Sequence, residues 1–295
     1  MERPIISQQV VNGLMLGSIY AMVGVAMTLS IGILRFLNFS IPALFMIGGM
    51  LTWALVHIGV SWPLAALAAL AAGAAVALVV EAFTWRWMRR AGPFIPLVSS
   101  MAFLILFEHL AVALFGSDLQ TLPRLFGTGV DWRVGHLIVS IPQLAGLLIS
   151  VAMVAALSLA LARTSMGRAL RTIAEDSDTA LLLGVDIGRI VPLVFLISGV
   201  FAALAGILFA LNYRQVDPFM GEVLGLKGIS AMVVGGMGNV WGAIVGGMII
   251  GLVEVLSIDL FGADFVDITV YGLLLLILVV RPTGLFGGAE MGVRA

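Results

Sequence analysis

No cysteine occurs in the 295 residues, so disulfides, thiolate metal sites, iron–sulfur clusters and cysteine nucleophiles are excluded. Charge is almost as scarce. Only 15 basic and 16 acidic side chains are present, 11% of the chain, where a soluble domain carries about 25%; that is too few to cover a water-facing surface. Three histidines, His57, His109 and His136, are too scattered to build a metal centre, so no metal and no cofactor is expected. The net charge of −1 comes without a continuous basic patch, which argues against nucleic acid as a partner. What fills the chain is apolar: 61% hydrophobic, with a mean hydropathy of +1.17. This is the composition of a protein whose solvent is the lipid bilayer.

A hydrocarbon core of about 30 Å is crossed by about 20 apolar residues in a helix. Seven runs reach helix length: 10–33, 41–58, 64–83, 95–115, 137–162, 190–211 and 241–258. Two more are short and read as broken or tilted crossings: 223–234, which contains Lys227, and 268–280, flanked by Asp264 and Asp267. Continuous stretches such as Leu67-Ala68-Ala69-Leu70 lack the alternation that a membrane β-strand requires. The expected fold is an all-α polytopic membrane protein with about eight to nine membrane-embedded segments, forming one domain over 1–295. The first run is too long for a signal-peptide core and belongs to the mature chain. With nine crossings, Arg35, Arg86, Arg89, Arg90, Arg163, Arg168, Arg171, Arg189, Arg281 and Arg294 fall on one side. Arg3, Arg124, Arg133, Arg214 and Lys227 fall on the other. The positive-inside rule makes the first side cytoplasmic and puts the N-terminus outside.

Polar residues concentrate in 163–189, which holds no run long enough to cross. Leu170, Ile173 and Ala174 recur at helical spacing. Asp176-Ser177-Asp178 offers a cap and first-turn carboxylates to a second short helix, 179–183, stopped by Gly184. The segment reads as a helix-turn-helix on the cytoplasmic membrane face. A solvated connector is one reading; the other is a docking surface, because Leu181, Leu182 and Leu183 would place three leucines in a cytoplasmic loop.

Glycine is abundant, with 35 residues. Gly242, Gly246 and Gly247 are spaced for close helix packing. The short run ending at Gly235-Gly236-Met237-Gly238 resembles a discontinuous helix, a device that presents helix ends to a cavity, and Asn38-Phe39-Ser40-Ile41-Pro42 is a similar break. Glu81, His57 and Glu254 lie near span boundaries and read as structural, whereas Glu108 is deeper and could serve a structural pairing or transport. The chain lacks the row of midplane carboxylates that ion coupling uses. Ser198 and Ser230 have no histidine base within reach of the pattern, so an intramembrane hydrolase has no dyad.

Several stretches together resemble a known family. Asn12-Gly13, Gly17-Ser18-Ile19-Tyr20-Ala21 and Leu37-Asn38-Phe39 open the chain as they open LivH-type permease subunits of branched-chain amino acid ABC importers. Gly167-Arg168-Ala169-Leu170-Arg171, Gly184-Val185, Ala205-Gly206, Val234-Gly235-Gly236-Met237-Gly238 and Arg281-Pro282-Thr283-Gly284-Leu285-Phe286-Gly287 follow in the family's order. The resemblance spans essentially the whole length. It implies that 163–189 is the coupling loop that seats in a cytoplasmic ATPase, with Arg171, Glu175, Asp176, Asp178, Ala180, Leu183, Gly184 and Asp186 at the contact. It further implies two ATPase subunits, a second permease that is LivM-like or a second copy, and an extracytoplasmic solute-binding protein. Because no Gly-x-x-x-x-Gly-Lys-Ser/Thr loop is present, the ATPase is expected to be a separate chain. Asn12, Tyr20, Asn38 and Ser40 are expected along a weakly recognising translocation path, and Gly235, Gly236 and Gly238 at a helix break. Where many relatives continue Asn-Phe with Ala-His-Gly, this chain has Ser40-Ile41-Pro42, which leaves urea or short amides open as alternative solutes.

Overall fold

The computed structural model describes residues 3–34, 36–88, 92, 94–123, 131–134 and 137–287, without the side chains of 3–5, 33, 131–139 and 177–178. Arg35, Arg89, Arg90, Arg124, His136 and Arg294 lie outside the described residues. Among those described there are eleven α-helices: α1 Arg3–Leu34, α2 Ser40–His57, α3 Trp62–Glu81, α4 Phe94–Phe115, α5 Ile141–Arg163, α6 Ser165–Glu175, α7 Ser177–Leu182, α8 Ile187–Tyr213, α9 Met220–Gly235, α10 Val240–Phe261 and α11 Val266–Val280. Four short strands sit in the connections. β1 (Gln120–Thr121) pairs with β4 (Gln215–Val216), and β2 (Asp131–Val134) with β3 (Leu137–Ser140), both antiparallel. Among the described residues, eight segments are long and apolar enough to cross a membrane. The fold is all-α and polytopic, and the 16-residue α9 adds a shorter embedded helix of about 24 Å.

The apolar run 137–162 begins differently from the expected span. Leu137 to Ser140 form β3, and the helix starts only at Ile141. Pro142 occupies the first turn, where its missing N–H costs nothing, and the Gln143 side chain accepts from the Ser140 backbone N–H at 3.2 Å. Apolar composition marked the run; the cap chemistry decided where the helix begins.

Helix directions follow from which small residues meet. Gly13 and Gly17 of α1 lie against Leu252 and Met248 of α10, while Gly32 lies against Gly238, so α1 and α10 are antiparallel. Gly73 of α3 meets Ala203 of α8, Gly146 of α5 meets Asn212 at the end of α8, and Gly235 at the end of α9 meets Gly242 at the start of α10. Hence α1, α3, α5, α9 and α11 run one way and α2, α4, α8 and α10 the other. The α6–α7 segment lies on the side where α1 ends, opposite the N-terminus.

α1 is the central post, with 89% of its span window buried, against 17% for α4 and 11% for the Ala263–Val280 span. Its close approach to α10 depends on side chains that are absent. A Cβ on Gly17 would lie 2.8 Å from the Met248 Cα, and one on Gly13 would lie 2.9 Å from the Leu252 Cα. Gly247 and Gly251 press on Ala21 and Gly17 from the other helix, while Gly242 and Gly246 of α10 face Gly235 and Ala231 of α9. α10 thus carries two small-residue stripes, one for each neighbour. Replacing Gly17 with leucine should force these backbones apart and destabilise the protein by about 1–3 kcal/mol, the usual scale for overpacking. A lowered thermal unfolding midpoint in detergent would show it, and an unchanged midpoint would contradict the packing.

Candidate membrane cavity and coupling segment

Between α1, α5, α8 and α10, with Leu224 of α9 contributing, lies a cavity of about 380 Å³. Gln9 is near the start of α1, Gln143 is in the first turn of α5, and Tyr213 and Ile258 are near the ends of α8 and α10. These positions place the cavity in the half of the bundle away from α6–α7. Its amide and hydroxyl lining includes Asn12, Gln143, Asn212 and Tyr213, and its buried end is closed by Tyr20 and Glu254.

Glu254 is held on both oxygens. Its Oε2 accepts from the Tyr20 hydroxyl at 2.8 Å and its Oε1 from the Lys227 ammonium at 2.7 Å. Lys227 is 5% exposed and Glu254 8%, and Asp267 Oδ1 stands 3.8 Å from the same ammonium. One carboxylate therefore ties α1, α9 and α10. Removing Lys227 would leave the nearly enclosed Glu254 carboxylate without its cation, which makes the lysine the costly member of the pair to lose.

The position of α9, which supplies Lys227, is fixed at both ends. At its start Asp217 Oδ1 accepts from the Phe219 backbone N–H at 2.9 Å and Gly221 lies against the Pro42 carbonyl of α2, with Glu108, buried in α4, close to Glu222. At its end the chain turns through Gly236 at φ +114°. There the backbone N–H groups of Leu285 and Phe286 donate to the carbonyls of Val234 and Gly235, both at 2.9 Å. Asn239 caps α10 through its Oδ1, which accepts from the Trp241 and Gly242 N–H groups at 3.0 and 3.1 Å, while its Nδ2 donates to the Phe286 carbonyl at 3.1 Å. Gly235, Gly236 and Gly238 thus form a helix break whose open carbonyls are met by the segment following α11.

On the opposite side, Thr164 caps α6 by accepting from the Gly167 N–H, and Gly167, Leu170 and Ile173 turn inward. Arg171 donates to the Leu161 carbonyl at 3.0 Å, closing the end of α5. Asp176 separates α6 from α7, and its Oδ2 accepts from the Thr179 hydroxyl at 2.7 Å. α7 is followed by a turn at Gly184, φ +80°, with the Val185 N–H returning to the Ala180 carbonyl at 3.0 Å. Ala180 is fully buried, whereas Leu181, Leu182 and Leu183 are exposed, Leu182 at 88%. Asp186 pairs with Arg189 at 2.9 Å on the surface, and the Asp178 side chain lies outside the described residues.

The family described as branched-chain amino acid transport system / permease component matches residues 9–279. The chain belongs to this family. The permease is 34% identical over 298 residues to the high-affinity branched-chain amino acid transport system permease protein LivH of Escherichia coli strain K12, with 96% of each covered. It is 32% identical over 296 residues to the corresponding protein BraD of Pseudomonas aeruginosa, again with 96% of each covered. Among solved structures, PsaBC from Streptococcus pneumoniae in complex with Fab shares the fold at a TM-score of 0.50 and 12% identity, over 94% of this chain and 92% of that chain. The permease is accordingly a multi-pass transport protein of the bacterial inner membrane.

Of the polar residues expected along a path, Asn12 and Tyr20 line the cavity. Asn38 and Ser40 lie elsewhere: Asn38 Oδ1 accepts from both the backbone N–H and the hydroxyl of Ser40, at 3.1 and 2.6 Å, holding the turn between α1 and α2. Two residues change standing. Lys227, counted in the sequence as a charge outside the membrane, is buried in α9, and Glu254, read as a boundary carboxylate, is its partner. A lysine inside an apolar run is the signal that could have found them, since it requires a buried anion on another helix.

Lys227→Met in the permease should cost about 3–5 kcal/mol by stranding Glu254, whereas Lys227→Met combined with Glu254→Gln should restore most of that loss. Thermal unfolding of the two variants beside the wild type checks it. Equal damage in the single and double variants would deny the pairing.

Proposed function

We propose that the permease is a membrane subunit of an ATP-driven importer for branched-chain or other hydrophobic amino acids. The observation that carries this reading is the match over nearly the whole chain to LivH and BraD, both of which bear names of high-affinity branched-chain amino acid transport. In this reading the chain acts as one transmembrane domain over 1–295. It pairs with a second permease, LivM-like or a second copy, takes solute from an extracytoplasmic binding protein, and draws energy from two separate cytoplasmic ATPase subunits.

The contact with the ATPase is the α6–α7 segment. Its exposed leucines are apolar surface on a side of the molecule facing water, which usually marks a docking site. Glu175, Asp176 and Asp186 add acidic residues around the leucines, and the sequence adds Asp178, whose side chain lies outside the described residues. Ala180 and Arg171 act from behind it, Ala180 by allowing α7 to sit close on its neighbours and Arg171 by closing α5. Asn12 and Tyr20 belong to the solute path through the cavity, while Asn38 and Ser40 hold the turn between α1 and α2 away from it.

The importer reading is tested by reconstitution: the complex purified from native membranes, with its ATPases and binding protein, should take up L-leucine only with ATP inside the nucleotide-accessible compartment. Uptake driven by an ion gradient without ATP would overturn it. The coupling assignment has a sharper test at Gly184, where a side chain would meet open space but a strained backbone. L-residues with a bulky Cβ enter this left-handed region at about 1–2 kcal/mol, whereas asparagine enters it more readily. Gly184→Val should therefore reduce ATPase recovery and uptake while membrane insertion persists, and Gly184→Asn should retain both. Normal ATPase recovery and uptake with valine would make the segment a mere connector.

A further inference from the structure

The end of α3 on the α6–α7 side does not finish as an α-helix. Ala82–Arg86 close one π turn, whose i→i+5 bonding widens the coil and brings a residue back over the one five places before it. Arg86 thereby meets Glu81, donating to its carboxylate at 3.3 Å. The two ends of this pair differ in access: 4% of the Glu81 side chain is exposed, against 61% of Arg86. A guanidinium carries five N–H donors in a planar fork, so donors remain open after the contact with Glu81. The turn also sorts its aromatic residues. Inward, Trp85 stacks on Phe36 with ring centroids 6.1 Å apart, and the Thr84 and Ser99 hydroxyls meet at 3.3 Å. Outward, Phe83 and Trp87 stand 6.1 Å apart, both exposed, with Trp87 at 77%, and Phe94 at the start of α4 is exposed as well.

Past the turn, α3 and α4 part. Each packs on α2, and α4 also packs on the π turn, but among the described residues the two helices scarcely touch each other. α2 is buried over most of its length, yet Ile47, Leu51 and Leu55 are partly exposed and recur every fourth position, on one stripe. That stripe is the floor of an apolar groove between α3 and α4 that opens at the Arg86 turn. Ile47 and Leu51 lie about 10 and 16 Å along α2 from Ser40, which matches the depth of one leaflet, about half of a hydrocarbon core of roughly 30 Å.

We infer that the groove and the Arg86 turn form a binding site for one anionic phospholipid, with its phosphodiester on the Arg86 guanidinium, its glycerol region against Trp87 and an acyl chain on the α2 stripe. A phosphate matches the guanidinium fork, and an indole ring favours the headgroup boundary. Charge selects the headgroup. Glu81 cancels Arg86, but the sequence continues with Arg89 and Arg90, which lie outside the described residues; the net positive charge of this stretch favours an anionic over a zwitterionic lipid. A helix of another subunit would also cover the groove, but it would leave the guanidinium and the indole at its mouth without a matching group. The site is independent of the solute carried and of the ATPase.

The test is native mass spectrometry of the purified permease complex titrated with phosphatidylglycerol or phosphatidylcholine. Phosphatidylglycerol is expected to bind roughly tenfold more tightly; equal binding overturns the anionic site. Glu81→Gln combined with Arg86→Gln removes both charges without stranding the buried carboxylate, and should weaken phosphatidylglycerol binding roughly tenfold. Arg86→Lys keeps the ion pair but loses the fork, and should weaken it by a smaller factor. Wild-type affinity in both variants, with the complex intact by size-exclusion chromatography, overturns the role of Arg86. Glycerol 3-phosphate in large excess should not displace the lipid; displacement would mean a site for a soluble phosphate and overturn the lipid. A photoreactive benzoylphenylalanine replacing Val98, which is exposed on α4, should attach to lipid in native membranes. Attachment to another protein chain, or the absence of a lipid adduct, overturns the groove as a lipid site.

Discussion

A lysine and a glutamate that cannot be left alone in a bilayer determine how the middle of this protein is built. Lys227 and Glu254 lie on α9 and α10, and their 2.7 Å contact is completed by the Tyr20 hydroxyl of α1. Because no water is available in hydrocarbon to solvate either charge, the three helices must meet at one depth and in one rotation. A shift of either helix by one residue would turn a charge toward an apolar neighbour. The pair thus acts as a register mark among surfaces that are otherwise interchangeably apolar.

Apolar surfaces provide little register of their own in lipid, where association depends on van der Waals contact and on small residues that let backbones approach. α1 shows how one helix serves two demands. Gly13, Gly17 and Ala21 recur every fourth position and face α10, while Asn12, Leu16, Ile19 and Tyr20 follow the adjoining stripe and line the cavity. The glycine stripe draws α10 close, and that approach brings Glu254 within reach of Tyr20.

The spans were legible in the sequence because length and apolarity are what a bilayer selects, and the α6–α7 segment was legible as an island of charge between them. The start of α5 was not, since Leu137-Ile138-Val139 is as apolar as a helix and only Ser140, Pro142 and Gln143 mark the change. Tyr20 could be named as a candidate from its place in the first span, but its partner lies 234 positions away. Gln143 and Asn212 carried no signal in the sequence; only the antiparallel packing of α5 on α8 puts them around one space. Lys227 was visible as a residue and misjudged in depth, because a short run interrupted by a cation looks the same whether the helix lies at the surface or is enclosed by its neighbours.

The segment that follows α11 also has a bearing on biosynthesis. The carbonyls of Val234 and Gly235 obtain their partners from Leu285 and Phe286, some fifty positions later in the chain. During synthesis, α9 and α10 must therefore enter the membrane with that break still open, and it closes only after α11 has been inserted and the chain behind it has left the ribosome. The stretch after α11 is in this sense a latch, and the central helices reach their final hydrogen bonding only once it has been made.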